Sequence, residues 1–184
     1  AKIAPHMRPE NGGVSVLDFP LKAAIAQVFE NTGSDFGALV AALHLDDGLY
    51  RNPYELMTFY DNHDMARLNA GEDGFIDANN WLFTARGIPV VYYGSEMTFM
   101  PGTREHEGNR NYFGAPNIAR ARNHRIRQAL TKIAQLRRTT PALQRGLQVN
   151  LGFSGDRAAF LRVYERGGAA QTALVLLNKG DAPA

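Results

Sequence analysis

The stretch Leu56-Met57-Thr58-Phe59-Tyr60-Asp61-Asn62-His63-Asp64 decides the fold that this sequence predicts. Its first five residues are mostly apolar and are long enough for a buried strand. The next four are an acid, an amide, an imidazole and a second acid. Barrel enzymes place their chemistry in polar runs of this kind, at the C-terminal ends of buried strands. We therefore expect residues 61–64 to line a cleft, because burying such groups unpaired costs ~2–7 kcal/mol each.

A plain turn is the alternative interpretation of residues 61–64. Asp and Asn side chains favour turns because they hydrogen-bond to the backbone close by. From these four residues alone the two interpretations are about equally supported. The motifs found elsewhere in the chain, described below, favour the cleft.

Composition excludes several classes of protein. Among 184 residues, 20 are basic and 18 are acidic, and they are interleaved, so we expect no nucleic-acid partner. No apolar run approaches the ~18 residues of a membrane-spanning helix, and the first five residues lack the apolar core of a signal peptide. The absence of cysteine excludes disulfides and thiolate metal sites. The chain has no initial Met, and we interpret it as a piece of a longer protein.

The order of predicted elements indicates an α/β region followed by an all-β region. Hydrophobic periodicity, glycines and prolines predict strands at 14–17, 56–60 and 88–93, helices at 21–29, 36–43, 77–85 and 117–138, and further strands at 147–151, 158–164 and 172–177. Strands that alternate with helices at this spacing form parallel sheets with right-handed crossovers. Three such strands are too few for a closed barrel, so their apolar edges need a cover that this chain does not supply.

Three aromatic residues receive structural predictions. Trp81, at helical spacing, is predicted to lie in the core rather than to form an exposed stacking surface for a ligand. Tyr92 and Tyr93 are predicted to point to opposite sides of the third strand, one inward and one outward, because side chains alternate along a strand.

Four motifs together resemble the α-amylase family of glycoside hydrolases (family 13), in its cyclomaltodextrinase and cyclodextrin glucanotransferase branch. Phe59-Tyr60-Asp61-Asn62-His63-Asp64 resembles the signature after the seventh barrel strand. Gly87-Ile88-Pro89-Val90-Val91-Tyr92-Tyr93-Gly94-Ser95-Glu96 resembles the eighth-strand motif. Ser15-Val16-Leu17-Asp18-Phe19 is similar to the sixth strand, and Asn109-Arg110 resembles the loop after strand eight. The motifs follow the family's order with suitable spacing, and the resemblance covers nearly the whole chain.

The resemblance implies a fold for each part of the chain. Residues 1–144 would be the C-terminal part, strands six to eight, of a (β/α)₈ TIM barrel, and residues 145–184 would begin an antiparallel β-sandwich domain. It also implies an enzyme that acts on α-1,4-glucans (cyclodextrins, maltooligosaccharides, starch) with retention of configuration. Retaining sites need two carboxyl groups ~5–5.5 Å apart. In the family these are an Asp after strand four and a Glu after strand five. Both would precede Ala1, so we expect the isolated chain to be inactive.

Five residues receive roles from the resemblance. Asp64 would stabilise the transition state, and His63 and Asn62 would bind the same sugar. Arg110 and His106 would reach neighbouring subsites, although His106-Glu107-Gly108-Asn109-Arg110 departs from the Asp-Pro-Asp-Asn-Arg loop of many relatives. No cofactor or metal site is predicted in this chain. Calcium occurs in the family, but the oxygen ligands that it needs are not clustered here.

The resemblance also implies partners and leaves two rival functions. The expected partners are an α-glucan oligosaccharide or cyclodextrin and the absent N-terminal half of the barrel, with no nucleic acid and no membrane. A periplasmic or secreted bacterial location is favoured over a cytoplasmic one. The nearest rival function is the glucanotransferase that makes cyclodextrins. A second rival is a non-catalytic relative that keeps the barrel as a binding or scaffold module, which the presence of Asp64 disfavours.

Overall fold

The structure is a computed structural model that describes residues 2–103 and 109–181. Its helices are α1 (Phe19–Phe29), α2 (Val40–Leu43), α3 (Glu72–Thr84), α4 (Gly114–Ala121), α5 (Arg125–Thr139) and α6 (Pro141–Arg145), with 3₁₀ turns at Ala4–Met7, Pro9–Asn11, Phe36–Leu39, Pro53–Glu55 and Ser95–Met97. Its strands are β1 (Met57–Thr58), β2 (Ile88–Pro89), β3 (Leu147–Ser154), β4 (Arg157–Arg166) and β5 (Ala169–Asn178). In the described residues, no helix is long and apolar enough to cross a membrane.

The three predicted parallel segments do run side by side. Leu17 forms a parallel bridge with Met57, and Met57 pairs in parallel with Ile88. Each strand is shorter than predicted: 14–17 contributes only the bridge at Leu17, 56–60 only two residues and 88–93 only two. Pro89 offers no N–H to a ladder, and within residues 2–103 and 109–181 the outer edges of these segments pair with no further strand.

The N-terminal boundary of helix α3 was predicted wrongly. The helix begins at Glu72 rather than at residue 77. Gly74 lies inside it, and its missing side chain lets the helix approach α1, since a Cβ there would lie 2.8 Å from the Phe29 carbonyl oxygen. Acidic residues at 72 and 73 also suit the positive end of the helix dipole.

The predicted helix at 117–138 is two helices, α4 and α5. Between them His124 is extended (φ −68°, ψ 141°), and its Nδ1 accepts a hydrogen bond of 3.3 Å from the amide of Ile126. This cap starts a new helix axis. The apolar spacing alone could not reveal the break, because it lies at the N-terminal end of the periodic run.

The C-terminal strands form the predicted antiparallel sheet in the order β3-β4-β5. Its inner face carries Phe160 and Val175, which pair across β4 and β5 and belong to the same core as Trp81. Trp81 is fully buried, as predicted, with its ring 5.7 Å from that of Phe160. The sheet therefore packs on α3 and shares a core with the α/β region. The proposed domain boundary at 144/145 stays a prediction.

Candidate active site

The polar run after β1 begins in the core and ends on the surface. Asp61 is fully buried, Asn62 is half-buried, and the side chains of His63 and Asp64 are 58% and 52% exposed. The Asn62 side-chain oxygen accepts hydrogen bonds of 2.9 Å from the amides of Asp64 and Met65. Asn62 therefore forms the turn that presents His63 and Asp64. The predicted sugar contact of Asn62 stays a prediction, and the side-chain amide nitrogen is the atom that could make it.

Arg110 joins the end of β1 from a distant part of the sequence. Its Nη2 lies 2.5 Å from Asp64 Oδ1, and its Nε donates to the His63 carbonyl oxygen at 2.9 Å. The other carboxylate oxygen, Asp64 Oδ2, lies 3.2 Å from His63 Nε2. The structure thus brings together three of the predicted site residues. His106 lies outside the described residues.

The buried Asp61 holds the base of the loop after β1 through hydrogen bonds. Its carboxylate accepts hydrogen bonds from Ser95 Oγ (3.0 Å), in the turn after β2, and from the amide of Leu68 (3.4 Å). Burial raises the pKa of Asp61 to about 6, against the effect of these hydrogen bonds. Beside it, burial also raises the pKa of Tyr60, whose hydroxyl donates to Asn79 Oδ1 at 3.0 Å.

Asn109 is a site residue whose contacts the sequence did not predict. It is fully buried, and its Nδ2 donates to the carbonyl oxygens of His63 (2.6 Å) and Met65 (3.3 Å). Its neighbour Arg110 is exposed. Asn109 therefore anchors the segment to the loop after β1, and Arg110 extends from it toward the surface. The Asn109-Arg110 motif marked the segment, but only the fold shows that the amide binds the loop after β1.

The prediction for Tyr92 and Tyr93 was wrong. Their rings lie 4.5 Å apart, and both rings contact the same guanidinium, that of Arg67, at 4.9 Å. Strand β2 ends at Pro89, so the alternation of side chains along a strand does not extend to these residues. Arg67 is 1% exposed and also donates to the Tyr93 carbonyl oxygen at 2.8 Å.

The surroundings of Asp64 are open in this chain. A groove of about 590 Å³ lies beside the C-terminal end of β2, between Val91–Tyr93 and α5, rather than over Asp64. Among the described residues, no group of three or more His, Cys, Asp or Glu is arranged to hold a metal ion. What the site offers is a half-exposed carboxylate flanked by an imidazole and a guanidinium, which is a set of hydrogen-bonding groups suited to polyhydroxylated ligands.

The sequence of this chain is similar to those of known enzymes. No family model matches it. The cyclomaltodextrin glucanotransferase of Geobacillus stearothermophilus is 31% identical over 96% of this chain. This chain is a homologue of α-amylase-family enzymes. It spans about a quarter of the length of the curated glucanotransferases that it matches, 24% in this case.

Solved structures of α-amylase-family proteins share the fold over nearly the whole chain. A cyclomaltodextrin glucanotransferase with a three-domain architecture is 35% identical, with a TM-score of 0.75 over 91% of this chain and 33% of that one. The α-amylase of Geobacillus thermoleovorans, solved with acarbose, is 26% identical, with a TM-score of 0.78 over 97% of this chain and 39% of that one. The homologues of this chain are therefore enzymes that act on α-glucans.

Proposed function

We propose that this chain is the C-terminal part of the catalytic barrel, strands six to eight, and the beginning of the following β-domain, of a retaining glycoside hydrolase that acts on α-1,4-glucans. The observation that carries the proposal is the meeting of His63, Asp64 and Arg110 beyond the C-terminal end of β1, in a chain homologous to these enzymes. The parallel alignment of Leu17, Met57 and Ile88 supports the strand assignment.

The roles of the carboxyl groups follow from the chemistry of retaining enzymes. One carboxyl group attacks the anomeric carbon and another protonates the leaving oxygen, ~5–5.5 Å away. In this proposal both come from the part of the enzyme that precedes Ala1. Asp64 supplies a third carboxylate, which accepts hydrogen bonds from the 2-OH and 3-OH of the sugar at the cleavage point. Charge-assisted bonds that tighten as the ring flattens raise kcat rather than affinity.

The neighbouring residues position the sugar. His63 and Asn62 bind the same sugar as Asp64, and Arg110 and His106 bind sugars of neighbouring subsites. In this structure Arg110 is paired with Asp64, and both side chains are about half exposed. Exposed pairs of this kind contribute only ~0–1 kcal/mol, so sugar hydroxyls can replace one partner at little cost.

A glucanotransferase is the second candidate, and the relatives favour it. Curated proteins similar to this chain are cyclomaltodextrin glucanotransferases. The two reactions differ in whether water or a sugar hydroxyl attacks the glycosyl-enzyme intermediate. A non-catalytic scaffold is disfavoured because it has no need of a transition-state carboxylate. The proposed ligands are cyclodextrins or maltooligosaccharides. The proposed location is periplasmic or secreted. Any calcium would be held by the rest of the enzyme.

The test is the Asp64→Asn substitution in a full-length enzyme that contains this chain. We expect kcat on maltooligosaccharides or cyclodextrins to fall by several orders of magnitude, while the circular dichroism spectrum is unchanged. Asp46→Asn, at an exposed acid away from the site, is the matched control and should keep normal turnover. Near-normal turnover by the Asp64 variant would refute its role.

The 184-residue chain alone should show no glucosidic cleavage, and turnover by it would refute the assignment of the catalytic pair to the missing part.

A further inference from the structure

Arg110 lies between two residues whose backbone carbonyls are held by adjacent tyrosines. The Tyr92 hydroxyl donates to the carbonyl oxygen of Asn109 at 2.8 Å. The Tyr93 hydroxyl donates to the carbonyl oxygen of Asn111 at 2.6 Å. The backbone is thus fixed on both sides of Arg110. The Arg110 side chain itself is 56% exposed, so its direction depends on this backbone.

Arg67 fixes the two tyrosines. Its buried guanidinium lies 4.9 Å from the centre of each tyrosine ring and 5.2 Å from that of Phe99. A desolvated guanidinium over aromatic faces is strongly held by their quadrupoles. Its Nη1 also donates to the Tyr93 carbonyl oxygen, which ties the side chain to the chain after β2. Arg67 therefore restricts both rings at once.

We propose that Tyr92, Tyr93 and Arg67 form one positioning unit that sets Arg110 against Asp64 and the His63 carbonyl. The expected effect on catalysis rests on the proposed function, whereas the positioning of Arg110 does not. The unit contacts Arg110 through its backbone neighbours and does not touch Asp64, so its members are positioning residues. It couples the turn after β2 to the carboxylate after β1, because Arg110 bridges the two.

The enzymatic test removes the two hydroxyls while keeping the rings. In a full-length enzyme containing this chain, Tyr92→Phe/Tyr93→Phe should lower kcat/KM for maltooligosaccharides by about 10-fold. Tyr112→Phe is the matched control, since Tyr112 lies in the same segment with 92% exposure and should leave kcat/KM unchanged. In an Arg110→Ala background, the double substitution should cause no further loss. A full 10-fold loss in that background would show that the tyrosines act otherwise and would overturn the proposal.

Arg67 gives a second arm to the enzymatic test. Arg67→Lys keeps the charge over the rings and should recover most of the kcat/KM that Arg67→Met loses. Equal losses from both variants would contradict a positioning role exerted through the rings.

A crystal structure of the full-length enzyme separates failure of this inference from failure of the proposed function, because it needs no turnover. In the Tyr92→Phe/Tyr93→Phe enzyme we expect the Arg110 guanidinium to leave Asp64 Oδ1 and the His63 carbonyl oxygen, while the core stays unchanged. In the Tyr112→Phe enzyme both contacts should remain. Retention of both contacts in the double variant would overturn the positioning unit, whereas an enzyme inert on α-glucans would overturn only the proposed function.

Discussion

Asp61 lies under the loop that carries His63 and Asp64, and its ionisation acts against the fold. Burial raises its pKa from 3.8 to about 6. The folded protein therefore holds this proton more tightly than the unfolded chain does. As pH rises through the range from about 4 to about 6, the unfolded state releases the proton first, and the free energy of unfolding falls.

Asp61→Asn should remove this part of the pH dependence. A shift from 3.8 to about 6 corresponds to roughly 3 kcal/mol, at about 1.4 kcal/mol per pKa unit. We expect the variant to lose much less stability than the wild type between pH 4 and pH 7, as measured by urea unfolding at each pH. Asp77, whose pKa burial also raises to about 6, accounts for part of what remains.

The control for this prediction is Asp46→Asn, which removes the same charge at an exposed position. It should leave the pH dependence of the wild type intact. If Asp61→Asn retained the wild-type slope between pH 4 and pH 6, the buried carboxyl would not be its source.

A buried ion pair joins several secondary-structure elements of the α/β region. Asp18 and Arg86 are both fully buried, with Arg86 Nη1 lying 2.5 Å from Asp18 Oδ2. Asp18 Oδ1 also accepts from the amide of Leu21 at the start of α1. Arg86 donates to the carbonyls of Ala42 and Leu43 at the end of α2. One pair thus joins α1, α2 and the connection between α3 and β2.

Arg86→Met should lower the free energy of unfolding by about 3–5 kcal/mol, because it leaves the Asp18 carboxylate buried and unpaired. Asp18→Asn/Arg86→Met should lose less than the sum of the two single variants. Arg125→Met, which breaks an exposed pair with Asp73, should cost less than about 1 kcal/mol. Strict additivity of the Asp18 and Arg86 losses in chemical denaturation would argue against the pair.

Across the complete fold, the shared core and the buried Arg162 hold the antiparallel sheet to the α/β region, and a second buried cation, Arg137, joins two helices of the α/β region. Arg162 on β4 donates to the carbonyls of Thr84 and Ala85, where α3 ends. Arg137 on α5 donates to the carbonyl of Phe83, in the last turn of α3, and to that of Gly87, in the connection that follows. Burial lowers the pKa of each guanidinium to about 10, so both remain charged at neutral pH and complement the negative end of the α3 dipole.

Because Trp81 on α3 packs against Phe160 on β4, we expect the sheet and the α/β region to unfold together. Phe160→Ala should lower the free energy of unfolding by about 3–5 kcal/mol. Trp81 is the single tryptophan, so its fluorescence reports this contact. Fluorescence and far-ultraviolet circular dichroism should give coincident denaturation curves in the wild type and in the variant.

The matched control is Leu176→Ala, on the outer face of the same sheet and 65% exposed. It should cost less than about 1 kcal/mol. Two separated transitions in the wild type, one for the sheet and one for the tryptophan, would contradict a shared core.

Much of the secondary structure of this protein could be predicted from the local pattern of apolar and turn-forming residues. Apolar runs and turn residues predicted the parallel segments, the three antiparallel strands and the burial of Trp81. The resemblance to the α-amylase family implied that Asp64, His63 and Arg110 serve one substrate-binding region. Three contacts could be seen only in the folded protein: Asn109 holds the loop after β1, Asp18 pairs with Arg86, and Tyr92 and Tyr93 share one guanidinium. Each of these contacts joins residues from different elements, and their partners are set by how the elements pack. Hydrophobic periodicity records which side of an element is buried, but it does not record which polar group meets which partner there.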